Sequence, residues 1–380
     1  MRILAVYGTR PEAIKVLPIV KLARDYFNLD LIPIFTGQHK DLIEDIENIF
    51  EVHHEHNLDI FKPGQSLDEI FSKCLMYFGK YLDSNPVDAV LVQGDTTSAF
   101  ACALASFHKL IPVIHVEAGL RTNSIHAPFP EEANRRLISK IASLHLPATK
   151  TAKDNLVSES VGEESIFVTG NTVIDALEII TGKIGKREFP KILSEVTEPF
   201  CIVTAHRRES WGAGMESIAR AVRQISIQFP KVSFVVATHP NPNVASIFEV
   251  ELAGVPNVVL SGPINYSDLI RLLSRAKLVL TDSGGIQEEA PYFKVPLLVL
   301  REESERMEGV NSGFSELVGT DTQKIVSAAQ MHLLDSNASN KLLKMENPYG
   351  DGRASQRVLH AIQIFFSLPN SSENEFAEFK

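Results

Sequence analysis

The chain has 380 residues, 44% hydrophobic and 22% charged, which is the balance of a globular protein and excludes extended disorder and collagen-like repeats. At roughly 150 residues per domain it should hold about two. The net charge of −10 sets the bulk surface against nucleic acid and anionic lipid, and no apolar run approaches the ~20 residues a membrane helix needs.

The opening segment, MRILAVYGTRPEA, passes from Arg2 through a short apolar stretch to glycine and charge, the pattern of a buried strand and not of a signal peptide. Cys74, Cys102 and Cys201 lie far apart in apolar segments without a CxxC pair. They read as buried thiols in a reducing compartment, with neither a disulfide framework nor a zinc site behind them. A soluble, cytoplasmic protein is expected.

Short β-rich runs then recur, each closed by glycine or polar residues. In the first half they are ILAVYG (3–8), LIPIFTG (31–37), AVLVQGD (89–95), PVIHVEAG (112–119), LHLPAT (144–149) and IFVTG (166–170). In the second half they are FCIVTAH (200–206), SFVVATH (233–239), NVVLSG (257–262), LVLTD (278–282), PLLVLR (296–301) and FSELVG (314–319). Strands apolar on both faces, separated by stretches long enough for crossover helices, predict parallel sheets covered by helices. The fold class is therefore α/β, with two Rossmann-like doubly wound domains facing a cleft. The expected extents are 1–175 for the first domain, 176–353 for the second, and 354–380 for a terminal helix followed by a frayed tail. The link TGKIGKREFPKILSEVTEP (181–199), rich in Lys, Gly and Pro, marks the seam.

Polar residues gather just past the carboxyl ends of these runs, where open α/β sheets bind ligands. TDSGGIQEEAP (281–291) combines a strand, a Gly-Gly turn and a helix start: Ser283, Gly284 and Gly285 suit a phosphate, or else form a capped tight turn. GTRPEAIK (8–15) offers Arg10 and Lys15 to a diphosphate, or to solvent. TAHRRES (204–210) puts His206 at a strand end beside Arg207 and Arg208, either to meet a phosphate or proton or as a structural histidine. Gly212 and Gly214 imitate a dinucleotide fingerprint, but no strand immediately precedes them and the third glycine is missing. Asp95 and Glu117 each close a strand, and carboxylates at one rim raise one another's pKa, as acid and base work requires. Glu131 and Arg135, like Glu132 and Arg136, are four apart and alternatively read as helix ion pairs. His53, His54 and His56 lack metal spacing and read as a solvated run.

Together GTRPEAIK, QGDTTSAFACALA, HVEAGLRT, FPEEANRRL, TGNTVIDAL, TAHRRES, DSGGIQEEAP and NPYGDG resemble, in order and from residue 8 to 352, the non-hydrolysing UDP-N-acetylglucosamine 2-epimerase family. The resemblance implies a glycosyltransferase-B type architecture with a terminal helix crossing back to the first domain. It implies reversible conversion of UDP-N-acetylglucosamine to UDP-N-acetylmannosamine: UDP is eliminated across C1–C2 to give 2-acetamidoglucal, then added back with the proton on the other face. No redox cofactor or metal is implied. Asp95, Glu117 and Glu131 match the family's acidic trio, with His206 beside them as a catalytic residue. Arg10, Lys15, His206, Ser283, Gly284, Gly285 and Arg306 match the diphosphate side, and Glu289 matches the ribose ligand. Gln38, His39, Gln65 and His239 lie in segments resembling a second, activating UDP-N-acetylglucosamine site. A homodimer supplying a bacterial surface polysaccharide is implied as well.

The chain departs from the family pattern in places. REESERMEGVNSGF (301–314) stands where RxTTERPEAxxAGT is common, so Met307 replaces Pro and Phe314 replaces Thr. APFPEE stands for SPWPEE, and Ile264 and Leu269 stand where Gln and Phe are usual. The rival readings are a hydrolysing epimerase, which usually begins GTRADFGK, a glycosyltransferase, and a catalytically dead sugar-nucleotide sensor.

Overall fold

The first apolar run forms β1 (Arg2–Tyr7), buried at five of its six residues. The structure is a computed structural model and describes residues 1–24, 29–37, 40–62, 64–122, 124–184, 196–207, 210–238, 241–335, 338–368 and 377–380. From β1 the chain turns into α1 (Arg10–Ala23). Thr9 caps this helix in a reciprocal box with Glu12, and Pro11 sits in the first turn, where a missing N–H costs nothing. Then come β2 (Asp30–Phe35), α2 (Lys40–Phe50), the two-residue β3 (His56–Asn57) and α3 (Leu67–Ser84), the last opened by a second box of Ser66 and Glu69. They are followed by β4 (Ala89–Gln93), α4 (Thr97–His108), β5 (Val113–Val116), α5 (Glu131–Ile141), β6 (Leu144–Leu146), α6 (Lys150–Ser158) and α7 (Thr172–Ile184).

These strands form one parallel sheet in the order β3-β2-β1-β4-β5-β6. Cys74, Phe78 and Leu82 from α3 and Ala101, Cys102 and Ala105 from α4 pack on Leu4, Val90 and Val92 of the sheet. Burial of a side chain like Phe78 contributes about 1.5–3 kcal/mol.

The second half carries β7 (Phe200–Thr204), α8 (Ala213–Gln228), β8 (Ser233–Ala237), α9 (Pro242–Glu251), β9 (Val258–Ser261), α10 (Tyr266–Leu273) and β10 (Leu278–Thr281). It continues with α11 (Gly284–Glu289), β11 (Leu297–Val299), α12 (Met307–Asn311), β12 (Ser315–Leu317), α13 (Thr322–Leu334) and α14 (Ala338–Leu343). Its parallel sheet runs β12-β11-β10-β7-β8-β9. Counted from its own first strand, that is the doubly wound order of the first sheet again, so the expected α/β class and its two Rossmann-like domains are the observed ones.

The chain divides into one unit of Met1–Lys183 with Tyr349–Lys380 and another of Ile184–Pro348. Residues 176–183 and 349–353 therefore lie with the first unit, a few residues beyond the expected seams. Residues after 349 return to that unit as α15 (Ala354–Phe365), which packs on α1. Its N-cap, Arg353, offers no side-chain acceptor, and Asp175 of α7 supplies one instead, receiving the Ser355 amide at 2.7 Å and the Ala354 amide at 3.1 Å.

Three expectations are corrected. IFVTG forms no strand: Ile166 makes only an isolated bridge to His145, because the next residue whose N–H would face it is Pro147, which has none to continue a ladder. The tail is not frayed throughout: the Phe379 amide donates to Val168 O at 3.0 Å and Arg357 donates to Ala377 O at 2.9 Å. The histidine run is not merely solvated. Buried Glu47 needs donors and takes them from Tyr7 at 2.6 Å and His54 at 2.7 Å, while His56 enters β3 and stacks on Tyr81.

Candidate functional site

In a doubly wound sheet the ligand crevice opens where strand order reverses, between the first and fourth strands. In the first unit that point lies between β1 and β4, and the predicted residues are there. Gly8, Thr9 and Arg10 leave β1, Asp95 leaves β4, and Glu117 leaves the neighbouring β5.

The start of α1 is largely self-satisfied. One carboxylate oxygen of Glu12 accepts the amides of Gly8 at 2.9 Å and Thr9 at 2.7 Å, and the other accepts the Thr96 hydroxyl at 2.6 Å. Burial pushes the Glu12 pKa up, against the pull of those donors. Arg10 is half-buried at the first position of the helix.

Lys15, expected at a diphosphate, is buried with its ammonium 2.5 Å from Oε1 of Glu117, because a cation that has lost its water takes the nearest carboxylate. Gln93, the last residue of β4, donates its side-chain amide to the other oxygen of Glu117. Glu117 has φ 62°, a left-handed conformation uncommon for a residue with a side chain. It is retained because the Glu117 amide donates to Leu146 O at 2.9 Å and the Gly94 amide to Val116 O at 3.0 Å, fixing the strand ends on both sides. Strain of this kind collects at functional sites.

Asp95 is gripped from α5. Arg135 donates to Oδ2 through Nη2 at 2.6 Å and Nε at 3.1 Å, and through Nη1 to fully buried Glu132 at 3.1 Å. Asn134 donates to the Asp95 carbonyl at 2.9 Å. Under this turn lies His115, whose pKa burial lowers to about 3, so the ring is neutral and its Nε2–H donates to Gly94 O at 2.8 Å. Glu131 is half-buried at the first position of α5, four residues before Arg135. Lys15, Asp95 and Glu117 are thus brought together, with Glu131 opening the helix that holds Asp95.

In the second unit the corresponding reversal lies between β7 and β10, where Thr204 and Thr281 face each other in register and share a hydroxyl contact. Asp282, fully buried, accepts the amides of His206 and Arg207 on one oxygen, both at 2.7 Å. It ties the loop after β7 to the loop after β10, so His206 and Ser283 stand side by side. Arg306 lies directly over Gly284: a Cβ there would come 2.7 Å from its Nη1, so a side chain at 284 would displace the guanidinium. Glu288 at 2.6 Å and Glu305 hold that guanidinium, and Glu305 also accepts from Arg301 at 3.0 Å. Tyr266 donates to Glu289 at 2.9 Å. The divergent Met307 sits at the surface, whereas Phe314 is buried with Lys294 above its ring.

Gln65 accepts from the Lys62 amide and so closes a turn ahead of α3. Gln38, His39, His239 and Arg208 lie outside the described residues. Among the described residues no helix is long and apolar enough to cross a membrane, and no cluster of His, Cys, Asp or Glu could hold a metal ion.

Sequence reasoning missed Gln93, Asn134, Arg135 as a partner of Asp95, His115 and Asp282. Arg135 reads from spacing as a helix ion pair, and only the packing of α5 against α4 and β5 turns it onto Asp95. Gln93 and Asp282 did carry a signal, since polar residues closing fully apolar strands at a sheet reversal are candidates in themselves.

A family model described as UDP-N-acetylglucosamine 2-epimerase matches residues 21–363. The UDP-N-acetylglucosamine 2-epimerase of Yersinia pestis is 41% identical over 372 residues, covering 96% of this chain and 98% of that protein. The protein of the same name from Escherichia coli K12 is 42% identical over 373 residues, with 96% and 98% covered. The crystal structure of UDP-GlcNAc 2-epimerase from Neisseria meningitidis bound to UDP-GlcNAc superposes with a TM-score of 0.91 at 39% identity, covering 96% of this chain and 100% of that one. With both doubly wound units and the strand-end residues in place, the chain belongs to the UDP-N-acetylglucosamine 2-epimerase family.

Proposed function

We propose that this protein interconverts UDP-N-acetylglucosamine and UDP-N-acetylmannosamine by eliminating UDP and adding it back, without releasing free sugar. The observation that carries the reading is the pair of carboxylates on adjacent strand ends, Asp95 held by Arg135 and Glu117 held by Lys15 and Gln93. A carbon-bound proton at C2 is not acidic, so its removal is coupled to departure of the diphosphate. A carboxylate takes the C2 proton, the C–H electron pair becomes the C1=C2 bond of 2-acetamidoglucal, and the C1–O pair leaves with UDP. On return, a UDP oxygen attacks C1 and a carboxylic acid delivers a proton to the opposite face of C2. Two faces require more than one carboxyl group, and Asp95, Glu117 and Glu131 are the acids on offer.

The departing charge falls to the guanidinium groups of Arg306 and Arg10, to His206, and to the hydroxyl and backbone amides of Ser283 to Gly285. Lys15 we assign to Glu117 and not to the diphosphate. Glu289 is assigned to the ribose, where Tyr266 fixes one of its oxygens. The bound UDP-GlcNAc of the Neisseria meningitidis structure supports the substrate. A cytoplasmic homodimer, an activating second UDP-N-acetylglucosamine at a site including Gln65, and supply of a surface polysaccharide belong to the same reading.

The test is proton NMR of the purified protein with UDP-N-acetylglucosamine in D2O. UDP-N-acetylmannosamine carrying deuterium at C2 is expected. Free N-acetylmannosamine with UDP would replace the reading by hydrolysis, and UDP binding without C2 exchange would make the protein a sensor.

A further inference from the structure

The proposed reaction needs Glu117 to keep one orientation while its carboxyl gains and loses a proton. Lys15 secures one oxygen, at 2.5 Å, but an ammonium can only donate. The other oxygen faces β4. Gln93 there is 3% exposed, and its amide nitrogen donates to Oε2 of Glu117. The backbone reinforces the approach: Gln93 is in register with Val116, the residue before Glu117, and a Cβ on Gly94 would lie 3.7 Å from the same Oε2. The carboxyl is therefore seated against the end of β4 and held at both oxygens.

A primary amide carries a donor and an acceptor on one planar group. It donates N–H to a carboxylate and, turned over, accepts the O–H of a carboxylic acid. A second cation in its place would favour the ionised form alone, and a hydrocarbon would take that bond away in a buried site. Gln93 is not among the residues assigned above to proton transfer or to substrate.

We infer that Gln93 is a positioning residue for Glu117, which with Lys15 clamps both carboxyl oxygens and, by turning its amide, follows the proton that Glu117 takes and gives. The inference rests on the reaction proposed above.

Gln93→Leu, Gln93→Glu and the wild type are compared for kcat, KM and C2 deuterium exchange, with UDP binding by calorimetry as the check on folding. Gln93→Leu should lose about tenfold or more in kcat with KM nearly unchanged, because a carboxyl held less firmly is misplaced for chemistry and not for binding. Gln93→Glu is nearly isosteric. At neutral pH its new carboxylate repels that of Glu117; once protonated it donates to Glu117 as the amide did. Its kcat relative to wild type should therefore rise by about tenfold from pH 8 to pH 6. The other charged groups on the adjoining elements, Lys15 and Glu12 on α1, Asp95 after β4, and Glu131, Glu132 and Arg135 on α5, are common to both proteins and cancel in that ratio. A ratio flat with pH together with wild-type kcat in Gln93→Leu overturns the assignment. Should Gln93→Leu not fold, the pH ratio of Gln93→Glu decides alone. Absence of C2 exchange in the wild type removes the reaction itself, whereas exchange indifferent to Gln93 removes only the clamp.

Discussion

Arg135 places two nitrogens on a single oxygen of Asp95, Nη2 at 2.6 Å and Nε at 3.1 Å, while its third nitrogen reaches Glu132. A permanent, forked cation orients the carboxylate. Glu132 in turn is held by Arg136 at 2.7 Å and by the Thr122 amide at 3.1 Å, so Asp95 stands at the end of a braced chain of charges.

Arg135→Lys keeps the charge and loses the fork. We expect turnover to fall roughly 10- to 100-fold through misplacement of Asp95, with UDP binding by calorimetry little changed. Wild-type kcat in this variant would show that Asp95 needs no such grip.

Asp95→Asn and Glu117→Gln each remove a proton acceptor while leaving the shape nearly intact. Both should lose epimerisation and C2 exchange and still bind UDP. A variant that turns over at the wild-type rate takes its residue out of the mechanism.

His206→Ala should act on the diphosphate, weakening UDP binding and slowing elimination. Asp282→Ala should reach the same loop indirectly, since it removes the acceptor that the half-buried amides of His206 and Arg207 share, at a cost of about 1–3 kcal/mol. Urea unfolding should report that loss. If stability and UDP affinity are both retained, the tie between the two loops carries nothing.

Asp175 makes stability depend on pH. Burial lifts its carboxyl to about 6 in the folded protein, against the bonds from the start of α15 that pull it down. The folded state thus prefers the protonated acid. That preference is fully present below the unfolded value of about 3.9 and is lost as pH rises through 6. Relative to Asp175→Asn, which cannot ionise, the wild type should lose about 2 kcal/mol between pH 4 and pH 7.5. Urea midpoints at the two pH values measure it, and a difference independent of pH would contradict it.

Apolar runs closed by polar residues marked nearly all the strands, because a parallel strand covered on both faces must be continuously hydrophobic while its ends meet solvent or ligand. The errors fell where neighbours decide. IFVTG is as apolar as a strand, yet Pro147 on the adjoining segment withholds a donor. HNL (56–58) is too short and too polar to signal β3, which exists because the edge of β2 was open to pair with it. The docked tail owes its place to the backbone of Val168, far away in sequence.

The sequence by itself determined the class of the fold, the repetition of one doubly wound pattern, the strand-end residues and the family they spell, since each depends on local periodicity or on residues close together in the chain. Tertiary structure alone decided which of those residues face one another. Lys15 meets Glu117, Arg135 turns from its own helix to Asp95, and Gln93 closes on a carboxylate 24 positions ahead. Such pairings follow from strand order and helix placement, and a buried charge takes the partner that geometry brings within reach.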